Sequence, residues 1–150
     1  MKEILVTILL SMAPISELRG SIPYALLSGI DPALAFLISV AGNIAIIFVV
    51  FFFLDYLHRH FMKIKIYVRL FDWYMERIRK KTSKIISSWV YVSLYFFVAV
   101  PLPGTGAYTG CLIAWFFSLN RYISILAIAF GVLTAGIIVI ASSLSIINLF

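Results

Sequence analysis

The chain has 150 residues, of which 63% are hydrophobic and 12% are charged, with a net charge of +6 and a mean hydropathy of +1.10. This composition excludes an ordinary soluble domain, in which about half of the residues are apolar. Charged residues are absent from 32–54, 85–120 and 122–150, and each run exceeds the roughly 20 residues that cross a bilayer. The sequence predicts an all-α integral membrane protein of the cell membrane, with several crossings and one domain over 1–150.

The first hydrophobic segment, 4–30, is interrupted by Pro14, Gly20 and Pro23. Proline and glycine this close together end a helix rather than bend it. Irregular backbone at membrane depth needs protein or water around it. The legs of about 10 to 14 residues reach about halfway across a bilayer. We expect a re-entrant helical hairpin. A cleavable signal peptide is the alternative, and Pro14 directly after the small residues 11–13 argues against it.

Two spanning helices are predicted, over 31–54 and 120–147. Each opens on a small polar residue suited to cap a helix, Asp31 before Pro32 and Asn120. Each contains a glycine eleven residues later, Gly42 and Gly131, where close helix contact costs little. The first hairpin and span together make up residues 1–54.

A basic segment, 55–84, joins the two halves and contains 9 of the 12 Lys and Arg residues. Basic residues in short loops stay on the cytoplasmic side, which places this segment there, near anionic lipid headgroups and not nucleic acid. Its apolar residues are spaced by three and four, which is typical of an amphipathic interfacial helix. A helix-pairing seam and a free hairpin are the alternatives. His58 and His60 lack a third ligand nearby, so no metal site is expected.

The second half, 85–150, repeats the pattern of the first. Its segment 86–119 is broken by VPLPGTGAYTG at 100–110, and a shift of 89 positions superimposes Pro14 on Pro103, Asp31 on Asn120 and Gly42 on Gly131. With the basic segment inside, the two halves enter the membrane from opposite faces. Inverted repeats with broken helices are typical of transporters with a midplane site.

Glu17 and Arg19 lie two residues apart in the first break, where an ionisable group costs about 2.5–3.5 kcal/mol. They could form an ion pair that locks the hairpin. The functional alternative is that Arg19 binds a carboxylate or phosphate through its fork of donors, while Glu17 orients it or carries a proton.

Residues around both breaks favour an anion, because a half-helix that begins near the midplane points amides and a partial positive charge at it. Pro23 suits the first turn of such a helix, with Ser21 as its cap. In the second break, PGTG exposes backbone amides, or forms a tight turn closed by Thr105. The candidate substrate or ion-binding residues are Glu17, Arg19, Gly20, Ser21, Pro23, Pro103, Gly104, Thr105, Gly106 and Tyr108.

Other chemistry is not indicated. No nucleophile–base set, Walker loop or metal-ligand spacing is present in the sequence, so neither an enzyme nor a cofactor is expected. Cys111, the single cysteine, cannot form an intrachain disulfide and is expected to pack as a small apolar residue.

ELRGSIP at 17–23 and PLPGTGAYTG at 101–110 together resemble the paired motifs of the family called putative small multi-drug export proteins. This resemblance covers nearly the whole chain and implies a transporter. More distantly, two re-entrant hairpins as inverted repeats are similar to the DedA/VTT superfamily, whose members are implicated in moving lipids. The second break here is uncharged, unlike that of DedA-type proteins, so only the architecture is carried over.

Three functions follow. The first is a transporter that moves a small anionic or phosphate-headed amphiphile, with proton coupling through Glu17. The second is an exporter of cationic drugs, and the third is a structural membrane protein or assembly factor. Membrane lipids are the expected partners. Because two spans and two hairpins form a thin wall around a cavity, we expect a homodimer, with Gly131, Gly136 and the interfacial helix as candidate contacts.

Overall fold

The computed structural model describes residues 1–61, 63, 69, 73, 76, 89–102 and 104–147. These residues form six helices and no strand: α1 (Lys2–Met12), α2 (Glu17–Leu27), α3 (Pro32–Phe61), α4 (Trp89–Ala99), α5 (Ala107–Phe116) and α6 (Arg121–Ile147). Helices α3 and α6 are long and apolar enough to cross a membrane, each with a mean hydropathy of 2.7. The other four have 10 or 11 residues and are therefore about 15–17 Å long. The prediction of an all-α fold is confirmed.

The same order of elements, two short helices and one long helix, occurs twice in the described residues. Corresponding helices also make corresponding contacts: α1 packs on α3 as α4 packs on α6, and α2 packs on α6 as α5 packs on α3. The two long helices, α3 and α6, also contact each other. Each short pair is thus held against both long helices.

Both long helices begin at the predicted caps. Asp31 Oδ1 accepts hydrogen bonds from the amides of Ala33 and Leu34, at 3.0 and 3.2 Å. Asn120 Oδ1 accepts them in the same way from Tyr122 and Ile123, at 3.1 and 3.3 Å. Each cap satisfies first-turn amides that have no partner within the helix. The two predicted N-caps are confirmed.

Small residues bring the helices of each half close together. A Cβ atom at Gly42 would lie 2.1 Å from Ser11 Oγ of α1, and one at Gly131 would lie 2.7 Å from Val98 Cβ of α4. The expected close contacts at both glycines are therefore confirmed. Gly136 is likewise buried, against Phe36 of α3. Because Gly131 and Gly136 pack inside one chain, they are not the interchain contacts that the sequence suggested.

Side-chain burial follows a pattern that suits lipid surroundings. Small polar residues lie at the helix interfaces, where Ser21, Ser39, Asn43 and Ser124 are fully buried. Large apolar residues are exposed on the outer faces of the long helices, among them Leu37, Phe48, Phe52, Phe130 and Ile137. Such a distribution is typical of membrane helices, whose outer faces meet lipid and whose interfaces contain small and polar residues.

The boundary between the first span and the basic segment differs from the prediction. Helix α3 does not end at Leu54 but continues to Phe61, because no proline or glycine interrupts 55–61. The greater part of the basic segment, and with it the predicted interfacial helix, lies outside the described residues.

Candidate functional site

The breaks between the short helices, at 13–16 and 100–106, lie next to each other, although they are far apart in the sequence. Four side chains and one glycine join them: Glu17, Arg19, Thr105, Gly106 and Tyr108, which we call the tip site. The contacts span 86 to 96 positions of sequence. The sequence placed these residues in two separate motifs, and the structure brings the motifs into direct contact.

Arg19 connects the first break to the second. Its Nη2 atom donates to the carbonyl oxygen of Thr105 at 2.5 Å and to Thr105 Oγ1 at 3.1 Å. Among the hydrogen bonds of the described residues, Arg19 uses no other nitrogen, so Nη1 and Nε remain as donors. The side chain is only partly buried. One edge of the guanidinium therefore fastens the loop, and its remaining donors are available to an anionic group.

Glu17 turns toward the beginning of α5. Its Oε1 atom accepts a hydrogen bond from the amide of Tyr108 at 3.4 Å, where the helix dipole favours a negative charge. Glu17 itself has a φ of +45°, a conformation uncommon outside glycine. No ion pair joins Glu17 and Arg19 among the residues that the structure describes. The direct pair that the sequence left open does not form, since each side chain binds backbone of the other half.

Gly106 makes the approach of Glu17 possible. A Cβ atom at this position would lie 2.0 Å from Glu17 Oε2, and the residue has a φ of +151°. The positive φ favours glycine here, and a Cβ atom would displace the carboxyl end of the Glu17 side chain. Gly104 has a φ of +88°, but nothing lies within 4 Å of the Cβ position. The second glycine of PGTG thus serves the contact with Glu17, whereas the first serves only the turn.

Thr105 and Tyr108 hold the two breaks in shape. Thr105 Oγ1 lies 2.6 Å from the carbonyl of Val100 and accepts from the amide of Leu102 at 3.1 Å, so the tight turn closed by Thr105 is present. The sequence suggested that Tyr108 lies in the glycine loop, but it lies in the first turn of α5. Its hydroxyl donates to the carbonyl of Met12 at 2.5 Å, which satisfies a carbonyl at the end of α1.

Two cavities meet at Glu17 and Arg19. The outer one is a cleft of about 280 Å³ lined by residues of both breaks, including Ser16, Thr105 and Thr109. The inner one has a volume of about 10 Å³ and extends to Asn43 of α3. The two charged side chains form part of both walls. They therefore stand between an open cleft, wide enough for a small head group, and the closely packed interior.

Residues 17–138 of the chain match the family described as "Putative small multi-drug export protein". The chain belongs to this family. The matched region begins at Glu17 and contains all five residues of the tip site. No curated protein and no solved structure matches the chain at a significant level, and the more distant resemblance to the DedA/VTT superfamily stays a prediction.

In this member of the small multi-drug export family, three further predicted site residues are placed differently from expectation. Helix α2 begins at Glu17, so Gly20, Ser21 and Pro23 lie inside it. Ser21 is not a cap, and its buried Oγ has no hydrogen-bond partner in the described part of the chain. Pro23 is in the second turn, where its missing N–H leaves the Arg19 carbonyl without its helical donor. Pro103 lies outside the described residues.

The sequence interpretation missed Asn43, which is fully buried in α3 and lines the inner cavity. An amide in the middle of an uncharged span was the signal, because a buried polar group needs a reason at membrane depth.

A second cluster was also missed, at the far end of α5. Arg121 Nη1 lies 2.6 Å from Asp55 Oδ2, and Trp115 Nε1 donates to Asp55 Oδ1 at 3.2 Å. Arg121 also lies over the ring of Phe51, 5.0 Å from its centroid. These residues line a cleft of about 300 Å³. In the part of the chain that the structure describes, no group of three or more His, Cys, Asp or Glu residues could hold a metal.

Proposed function

We propose that this protein is a transporter that moves a small anionic or phosphate-headed amphiphile across the cell membrane. The observation that carries the proposal is Arg19, which faces a cleft of about 280 Å³ and binds the described residues through Nη2 alone. A guanidinium recognises phosphate and carboxylate through parallel hydrogen bonds. The family name supports export, and the chemistry of Arg19 selects the class of substrate.

The proposed architecture is an inverted repeat in the membrane. Helices α1 and α2 form one re-entrant hairpin, α4 and α5 form the other, and the basic segment stays on the cytoplasmic side. The support is the repeated order of elements, the half-bilayer length of the short helices and the concentration of Lys and Arg between the halves. In this arrangement the tip site lies near the midplane, where secondary transporters bind their substrates.

Glu17 supplies the proposed proton coupling. Its carboxylate lies beside the cleft without an ion pair to Arg19, so it can exchange a proton without breaking a salt bridge. Membrane lipids surround the outward apolar faces of α3 and α6. A homodimer remains part of the proposal, because one chain builds only a thin wall around the tip site.

The proposal is tested in proteoliposomes with NBD-labelled short-chain phosphatidic acid, whose arrival in the outer leaflet is measured by dithionite quenching. Arg19→Ala and Glu17→Ala each reduce translocation to the level of empty vesicles, while both variants insert into the membrane at the normal level. Tyr95→Phe serves as the control, because Tyr95 bonds Thr134 away from the tip site. Full translocation by both alanine variants removes the proposal.

Export of a cationic compound is the second candidate, because Glu17 is not neutralised by Arg19 in an ion pair and the family is named for drug export. Ethidium uptake into everted vesicles distinguishes the two. Under this candidate Glu17→Ala stops ethidium transport, and Arg19→Ala leaves it unchanged or raises it. Under the anion proposal neither variant changes ethidium movement.

The structural alternative is tested by exchanging the charges, with Glu17→Arg and Arg19→Glu combined. A protein in which the two residues only pair with each other keeps its function after this exchange. A protein in which they only fasten the breaks, through Thr105 and the start of α5, loses thermal stability in detergent together with its function. In the transporter, Arg19→Ala and Glu17→Ala lose translocation while their thermal stability stays in the range of the Tyr95→Phe control.

A further inference from the structure

Asn43 is a polar residue buried among apolar helices with half of its amide engaged. Its Nδ2 atom donates to the carbonyl of Ser11 at 2.9 Å. Because a carbonyl only accepts, this bond fixes the orientation of the amide and leaves Oδ1 on its other side. Oδ1 is buried and accepts no hydrogen bond from the residues that the structure describes. An acceptor in this position costs free energy unless a donor reaches it.

A water molecule in the inner cavity would supply that donor. Asn43 lines it together with Glu17 and Arg19, and the remaining wall includes Val98 and Val132. Its volume of about 10 Å³ is near the lower limit for one water molecule, which needs two to four polar partners to remain bound. Asn43 Oδ1, the Glu17 carboxyl group and the Arg19 guanidinium provide three. The inner cavity is too small to admit a substrate molecule.

We propose that Glu17, Asn43 and one water molecule between them form a proton-binding site. This inference rests on the proposed function, in which Glu17 couples transport to protons. A proton that arrives through the outer cleft forms an O–H bond on the Glu17 carboxylate. That group then donates to the water, which donates to Asn43 Oδ1. On release the carboxylate again accepts hydrogen bonds from the water and from the amide of Tyr108. One O–H bond of a hydronium ion in the cleft breaks as the O–H bond of Glu17 forms, and the reverse exchange returns the proton to water on release.

Asn43 acts in this site as a positioning residue, because it holds the water and not the proton. The charged and titratable groups that face Glu17 are Arg19 on its own helix and Tyr108 and Cys111 on α5. The residues that α3, α4 and α6 contribute to the cavity wall are uncharged. The protonation of Glu17 is therefore governed by few neighbours, and the water on Asn43 is the one that contacts the carboxyl group directly in both states.

The experiment is infrared difference spectroscopy of the full-length protein in lipid vesicles between neutral and acidic pH. The carbonyl band of protonated Glu17 is identified by its loss in Glu17→Gln. In the native protein, exchange into H₂¹⁸O shifts a water O–H band that appears together with it. In Asn43→Leu the ¹⁸O-sensitive band is lost and the Glu17 carbonyl band moves to higher frequency, as expected for a carboxyl group that no longer donates a hydrogen bond.

Ser39→Ala is the matched control, because Ser39 lies one turn from Asn43 with an equally buried, unpartnered Oγ but does not line the cavity. It leaves both bands unchanged. Absence of an ¹⁸O-sensitive band in the native protein overturns the proposal even where Asn43→Leu does not fold. Equal effects of Asn43→Leu and Ser39→Ala also overturn it. The measurement needs no substrate, so failure of the lipid-translocation assay with intact bands would reject the proposed function alone.

Discussion

The tip site and the Asp55–Arg121 pair each contain one acidic residue and one arginine, yet they are organised in opposite ways. Asp55 and Arg121 bind each other at 2.6 Å, with side chains 31% and 45% exposed. Glu17 and Arg19 are only two positions apart and form no ion pair; each binds backbone contributed by the other half of the chain. The short helix α5 separates the two regions, with Tyr108 at one end and Trp115 at the other.

This difference separates a charge pair that only joins two helices from the charged residues that we propose bind a ligand. A charge that is neutralised by its own partner has little left for a ligand, and an exposed pair of this kind contributes only about 0–1 kcal/mol. A charged side chain that is held by neutral backbone groups is fixed in position, and its charge is not neutralised. The tip site therefore has the properties of a binding site, and the Asp55–Arg121 pair has those of a contact between α3 and α6.

The largest effect is expected from Gly106→Ala. The new Cβ atom occupies the space of Glu17 Oε2, 2.0 Å away, and the end of this flexible side chain must leave the beginning of α5. The backbone at a φ of +151° adds strain of about 1–3 kcal/mol. We expect translocation to fall to the level of Glu17→Ala, measured by the dithionite assay, and the stability in detergent to fall by that strain.

Gly104→Ala is the matched control for this variant. It also places a side chain at positive φ, +88°, but nothing lies within 4 Å of the new Cβ atom. Its loss of stability is comparable, whereas translocation remains within about twofold of the native rate, roughly 0.4 kcal/mol. Equal translocation by the two variants would contradict the role that we assign to Gly106.

Tyr108→Phe is expected to have an intermediate effect. It removes the hydroxyl that donates to the Met12 carbonyl and leaves the amide that donates to Glu17 in place. The cost is about 1 kcal/mol, the usual net contribution of one hydrogen bond, read from thermal unfolding in detergent. Translocation falls several-fold because the two breaks are joined less firmly. Tyr95→Phe removes a comparable bond to Thr134 and should cost similar stability without affecting translocation.

The sequence predicts those parts of this structure that depend on neighbouring residues. The helices, the breaks at Pro14 and at PGTG, the caps Asp31 and Asn120 and the contact glycines all follow from local patterns. The beginning of α2 does not, because Glu17 is held at a φ of +45° beside an amide 91 positions away. The roles of Asn43 and of the Asp55–Arg121 pair could not be predicted for the same reason, because only the fold brings their partners to them.

The smallest effect is expected from Asp55→Asn, which tests the other side of the comparison. The amide keeps an acceptor for Trp115 Nε1 and removes the charge opposite Arg121. Arg121 retains its position over Phe51, and its exposed guanidinium is solvated in place of the lost partner. The stability therefore changes by less than about 1 kcal/mol, and translocation is unchanged. A double-mutant cycle with Arg121→Gln measures the coupling directly. A loss of translocation in Asp55→Asn as large as that in Arg19→Ala would show that both arginine–carboxylate regions handle substrate, and the contrast between a fastening and a binding group would no longer hold.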